Sequence, residues 1–253
     1  MERIAPKTVG ADLLDGVPRQ RTVLPAPPPA RRLAVPRARP RLPLPLPTPA
    51  GTPFTFGYAA LLAVTSLIAA QAPPSLVYAL YQGSSTDVAH LVRSPAVVLL
   101  ASALWIAGGL LSPYALAFVL VLTALERRIG GARAACVFLA GHVLATLATE
   151  VPVGLAVLAG DLPGTSLHRL DYGISFGVAA STGALAGLLR PWLRWPLIAG
   201  TAYLLLTDLL AYTDPMTNWG HLIALTIGVS TWPVVRRWAA VETPAHLHRQ
   251  GDR

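Results

Sequence analysis

A single cysteine, Cys136, stands among 253 residues, so no internal disulfide can form. There is no CxxC motif and no Cys/His cluster, so neither a metal nor any other cofactor is expected. Charge is also scarce: 13% of residues are Asp, Glu, Lys or Arg, against 53% hydrophobic, with a mean hydropathy of +0.53. That balance excludes an ordinary soluble globule and points to a multi-pass membrane protein. Acids are the scarcer charge, 12 against 20 bases, for a formal net charge of +8. In a membrane protein such a surplus chiefly sets orientation, so its placement decides whether nucleic acid is a partner.

The first fifty residues have no long apolar run; they hold twelve prolines and nine Lys/Arg against three acids. Such a segment cannot bury a core and is expected to be a disordered, basic tail over residues 1–52. Because the tail precedes the first apolar run, that run reads as an uncleaved anchor. Crossing a bilayer as a helix takes about twenty apolar residues. Runs at 54–71, 107–125, 134–152, 173–189, 196–212 and 218–235 meet or approach that length, which predicts an all-α bundle of six transmembrane helices over 53–238. The apolar stretch 96–125 would be roughly 45 Å long as one helix, so its first part is expected to lie in the interface.

With the amino terminus inside, 18 of the 20 basic residues fall on the cytoplasmic side, and only Arg93 and Arg169 fall outside. The charge therefore reads as topology, with both termini cytoplasmic, a short carboxy-terminal tail at 239–253, the lipid bilayer as surroundings and no nucleic acid as partner. Heavy use of Ala, Arg, Pro and Leu suggests a bacterial plasma (inner) membrane. A transporter would spread polar residues along a pathway and repeat itself internally, and neither pattern is evident.

Within "NWGHLIALTIG", His221 lies about one turn inside the sixth span, where an imidazole is costly unless another protein group satisfies it. In "DYGISFGVAASTGALAGLL", Ser175 opens the fourth span at a similar depth. A serine hydroxyl is a weak nucleophile until a base accepts its proton, and histidine suits that task. The two helices need to approach closely. His221, Ala224 and Gly228 share a face of one, while Gly173 to Gly177 and Gly183 to Gly187 have GxxxG spacing on the other. Asp171 is a candidate cap for the fourth span, and the uncompensated amides from Gly173 through Ile174 and Ser175 to Phe176 are candidate oxyanion donors. Asp208 sits at the same depth and is a candidate orienting acid for His221. His142 reads as a satisfied packing histidine, Glu150 as marking a helix end beside Pro152, and Glu126 as structural at the cytoplasmic interface.

At these residues the chain resembles the rhomboid family of intramembrane serine proteases, in "GIS" at Gly173 to Ser175, "GHLIALTIG" at Gly220 to Gly228, and "LERRIGGAR" at Leu125 to Arg133. The resemblance covers roughly residues 54–238. It implies a six-span rhomboid-like bundle in which Ser175 is the nucleophile and His221 the general base of a dyad. The reaction implied is hydrolysis of a peptide bond in or near a transmembrane segment of a membrane-protein substrate. The sequence departs from the pattern at several positions. Phe176 stands where a glycine usually follows the serine, and Ala179 where an aromatic ring usually stacks on the histidine. Leu110 and Tyr114 occupy the second-span positions of the oxyanion-holding histidine and asparagine, leaving Tyr114 as the one possible donor. The alternative these departures keep open is a non-catalytic rhomboid-like protein that binds partner transmembrane helices.

Overall fold

A computed structural model describes residues 46–251, with side chains to residue 241. Most of the basic tail expected over 1–52 lies outside the described residues, as do the side chains of the carboxy-terminal tail beyond 241. The described chain is helical: α1 (Pro53–Gln71), α2 (Pro74–Gly83), α3 (Val88–Arg93), α4 (Pro95–Ser102), α5 (Pro113–Ile129), α6 (Gly131–Ala159), a 3-10 turn (Gly164–His168), α7 (Ser175–Gly187), α8 (Pro191–Leu210), α9 (Pro215–Ser230) and α10 (Trp232–Gly251). Two of these, α1 and α6, are long and apolar enough to cross a membrane by length and composition.

Local chemistry sets most of the boundaries. Proline fixes φ near the helical value and lacks an N–H, which suits a first helical position, and α1, α2, α4, α5, α8 and α9 all have one in their first turn. Glycine ends two helices where the backbone turns left-handed or beyond: Gly130 after α5 and Gly160 after α6, each at φ 84°. The expected apolar run 107–125 is not one helix. Gly108 and Gly109 have φ of 80° and 74°, a conformation no helix propagates, and Ser112 caps a fresh start at Pro113 by accepting from the Ala115 N–H. Ahead of that break, the first part of the stretch forms the separate short helix α4. Nor does α6 end at Glu150, because the helix passes through Pro152 to Ala159.

At the centre of the bundle is α7, with every residue from Phe176 to Gly187 buried. It is only 13 residues long, about 20 Å, and its neighbours reach it through small residues. A Cβ on Gly141 of α6 would lie 2.0 Å from that of Ala180, and one on Gly177 would lie 2.4 Å from the Phe138 ring of α6. A Cβ on Gly187 would meet Trp232 of α10 at 2.4 Å. At the far end of α7, Arg194 donates to the Ala186 and Leu189 carbonyls (3.0 and 2.8 Å), Arg236 to Gly187 (3.0 Å), and the Trp232 indole to Gly183 (2.8 Å). Cations and donors at a helix carboxyl end satisfy its orphan carbonyls and oppose its dipole. By contrast, α8 buries only Leu205 and exposes aliphatic and aromatic faces, as a lipid-facing helix does.

Glu126 is buried where α1, α5 and the start of α6 meet, and its carboxylate accepts from the Phe54 N–H (3.0 Å), the Thr55 N–H (2.7 Å) and Thr55 Oγ1 (2.6 Å). Gly131 leaves room for it, since a Cβ there would lie 2.8 Å from Glu126 Oε1. Glu126→Ala orphans those three donors, so it should destabilise the fold by about 3 kcal/mol, read as a lowered thermal midpoint in detergent.

Candidate active site

The backbone leading into α7 is held by a neighbouring loop. The Gly173 N–H donates to the Ser102 carbonyl (3.0 Å) and the Ile174 N–H to that of Trp105 (3.1 Å). Gly173 sits at φ 127°, open to glycine and strained for other residues, which lets the chain turn against the 105–107 backbone. The helical ladder then starts from the Val178 N–H to the Ile174 carbonyl. Among the four amides expected to face an oxyanion, those of Gly173 and Ile174 are thus engaged. Those of Ser175 and Phe176 precede the ladder, and no side chain caps them.

Asp171 is not that cap. Its carboxylate accepts from Thr86 Oγ1 (3.1 Å), its N–H donates to Ser85 Oγ (3.1 Å), and its carbonyl accepts from the Thr86 N–H (2.8 Å). Burial pushes the Asp171 carboxyl up from its ordinary range, although the Arg169 guanidinium and the Thr86 hydroxyl pull the other way.

Asp214 caps α9 from the front, accepting from the Thr217 N–H (3.3 Å), and one turn later Asn218 donates to the Asp208 carbonyl (2.9 Å). His221 follows, 4% exposed. Its ring stacks on Tyr114 at 5.4 Å between centroids and meets the edge of Phe176 at 5.2 Å. Both imidazole nitrogens are buried and neither has a hydrogen-bond partner among the described residues. Ser175 therefore stands half-buried at the start of α7 without bonding to His221. The carboxylate of Asp208 does not bond to the imidazole either. Asp208 is exposed and lines a groove of about 420 Å³ with Tyr114, Val178, Ala179, Thr182 and Leu204. Leu110 is half-exposed in the loop before α5.

The helices carrying Ser175 and His221 cross in close contact. A Cβ on Gly228 would fall 1.9 Å from the Ala180 carbonyl oxygen, and one on Gly183 would fall 2.4 Å from that of Leu225. Ala224 is wholly buried in the same cluster as Phe176 and Ala180. Gly177 faces α6 instead, so of the two GxxxG pairs only the one containing Gly183 meets α9.

His142 is the packing histidine expected, held through one ring nitrogen, while its partners and that of Glu150 were not legible in the sequence. His142 Nε2 lies 3.0 Å from Ser102 Oγ and 3.1 Å from the Leu99 carbonyl, tying α4 to α6. A carbonyl oxygen can only accept, so the bond to Leu99 requires the proton on Nε2. Glu150 pairs with Arg169, whose guanidinium also reaches Asp214 and Thr217. The available signal was that Arg169 is one of two bases left on the outer side when charge is used to orient the chain.

A bundle of apolar helices around a short buried one, with a serine and a histidine brought in by separate helices, defines a class of helical membrane protein. A family model described as rhomboid-like protein matches residues 50–241. The chain belongs to the rhomboid-like family and is a membrane protein. No curated protein and no solved structure matches it.

Gly228→Val should force α7 and α9 apart and destabilise the protein by about 3 kcal/mol or more. Gly200→Ala, where a Cβ meets nothing within 4 Å, should leave stability unchanged or raise it by about 0.5 kcal/mol. Thermal midpoints of the two variants in one detergent make the comparison.

Proposed function

We propose that this chain is a divergent rhomboid-type intramembrane serine protease that hydrolyses a peptide bond in or near a transmembrane segment of another membrane protein. One observation carries the reading: His221 is buried with both ring nitrogens unpartnered, beside a helix that begins at Ser175. An unpaired buried polar group costs about 1–3 kcal/mol, so an imidazole kept in that state calls for a partner, and a hydroxyl at the head of the neighbouring helix is chemically suited.

In this mechanism His221 takes the proton of Ser175 as the hydroxyl oxygen adds to the substrate carbonyl carbon. The oxyanion that forms lies at the uncapped start of α7, where the amides of Ser175 and Phe176 donate to it and the helix dipole favours negative charge. Tyr114 supplies a phenol on the same side. When the tetrahedral species collapses, the C–N bond breaks and His221 hands its proton to the departing amine. Water, deprotonated by His221, then hydrolyses the acyl-serine. No metal or cofactor is required. The substrate helix would enter from lipid through the groove of about 420 Å³ lined by Tyr114, Ala179 and Asp208. Under this reading α1, α5, α6, α7, α8 and α9 are the six crossings, and the two termini face the cytoplasm of a bacterial cell.

A second reading has its own support. The edge of the Phe176 ring lies against His221, and no bond joins the imidazole to Ser175, as expected of a non-catalytic protein that binds partner transmembrane segments through the same groove.

A fluorescent phosphonate probe on detergent-purified protein separates the two. The protease reading expects covalent labelling that Ser175→Ala abolishes and that His221→Ala slows about 10²–10⁴-fold. Background signal equal in parent and Ser175→Ala would favour the binding protein.

A further inference from the structure

Arg169 stands in the segment between the 3-10 turn and α7, and its guanidinium meets three parts of the fold. Nη2 pairs with the carboxylate of Glu150 on α6 and lies 3.7 Å from Asp171 Oδ2. Nη1 donates to Thr217 Oγ1 at 2.9 Å and lies 3.4 and 3.5 Å from the two Asp214 carboxylate oxygens. Burial alone would weaken the hold of this guanidinium on its proton, but the carboxylates of Asp171, Glu150 and Asp214 more than offset it, so Arg169 remains charged.

The places these contacts reach matter more than their number. Asp171 stands four residues before Ser175, and Thr217 stands one helical turn before His221. One rigid fork therefore touches the approach to α7 and the head of α9, four residues ahead of Ser175 and of His221 respectively, and it braces both against α6. Asp171 is in turn fastened to Ser85 and Thr86, so the fork connects to a fixed loop. Arginine offers five donors in one plane, whereas a lysine ammonium is a single point charge and cannot hold three elements in register.

We infer that Arg169 is a positioning residue that sets the level and separation of Ser175 and His221. The inference rests on the dyad reading above and names the group that aligns it. Glycine contacts between Gly183 and Gly228 fix how closely α7 and α9 cross, but they lie about two turns from the head of α7 and between three and four from that of α9. Nearer the heads the two helices meet through the Phe176 ring against His221 and Gly220, with Arg169 as the polar link. Arg169 closes that end.

The test uses the full chain in detergent with Cys136→Ala, which removes its one native thiol, and with Ser175→Cys and His221→Cys introduced as a pair. The rate of oxidative cross-linking between the pair reports their approach whether or not the protein is an enzyme. Arg169→Ala and Arg169→Lys are each expected to slow cross-linking about tenfold. Asp214→Asn should slow it several-fold while still capping α9, because asparagine accepts the same backbone bond. On the chain with its native serine and histidine, the first-order rate constant of phosphonate labelling at saturating probe should fall in parallel while the final labelled fraction and the half-saturating probe concentration stay within twofold, whereas general destabilisation lowers the labelled fraction. Cross-linking as fast in Arg169→Ala as in its parent overturns the inference; if that variant does not fold, an unchanged rate in Asp214→Asn overturns it. Should the parent never label while cross-linking depends on Arg169, the protease reading falls and the alignment role stands.

Discussion

The bundle depends on two backbones coming almost into contact. Where α9 crosses α7, Gly228 lies against the Ala180 carbonyl and Gly183 against that of Leu225, a separation that no side chain larger than hydrogen permits. Among apolar helices in lipid there is little hydrophobic gain from association, so dispersion between closely fitted surfaces has to hold them. α7 is made for this role. Its glycines, alanines and small polar residues let α6, α9 and α10 approach from different sides, and its two ends are then secured by polar groups brought from elsewhere in the chain.

Those polar groups follow a rule of their own. At its carboxyl end, Arg194, Arg236 and Trp232 satisfy carbonyls that the last turn of α7 leaves open, and both guanidinium groups lie over the indole, at 5.2 and 5.1 Å. At the other end, the carbonyls of Ser102, which ends α4, and of Trp105 in the loop after it take up amides that precede the helix. Glu126, His142 and Glu150 each anchor a different pair of elements. Polar side chains buried in such a bundle are expensive unless satisfied, and these three bind partners far away in sequence. The hydroxyls of Thr123, Thr146 and Ser181 and both ring nitrogens of His221 are buried without a partner among the described residues, and His221, as the one base in that set, dominates the functional reading.

Several features could be read from the sequence because they are local. Apolar runs marked the main helices, and small residues marked the faces of α7 and α9. The family resemblance rested on three short motifs, and the family match spans residues 50–241 around them. Other features depended on contacts between distant segments. Two consecutive glycines with positive φ divided a stretch whose hydropathy is continuous. Glu150 reads as a helix end if only Pro152 is considered, yet the helix continues and the carboxylate is held by Arg169. Asp171 has the position of a cap, but Ser85, Thr86 and Arg169 claim it. For Glu150 and Asp171 a long-range partner prevailed over a local preference.

The length of α7 has a consequence for the solvent. A helix of about 20 Å leaves about 10 Å of a typical 30 Å hydrocarbon layer unbridged. Irregular chain at that depth survives only when protein shields it or when it borders an aqueous cavity, and the 171–174 segment has two of its amides already engaged by protein. On the reading proposed above, in which α7 crosses the bilayer with its head on the outer side, that head would sit recessed from the boundary, and charge developing there would experience a dielectric between those of oil and water.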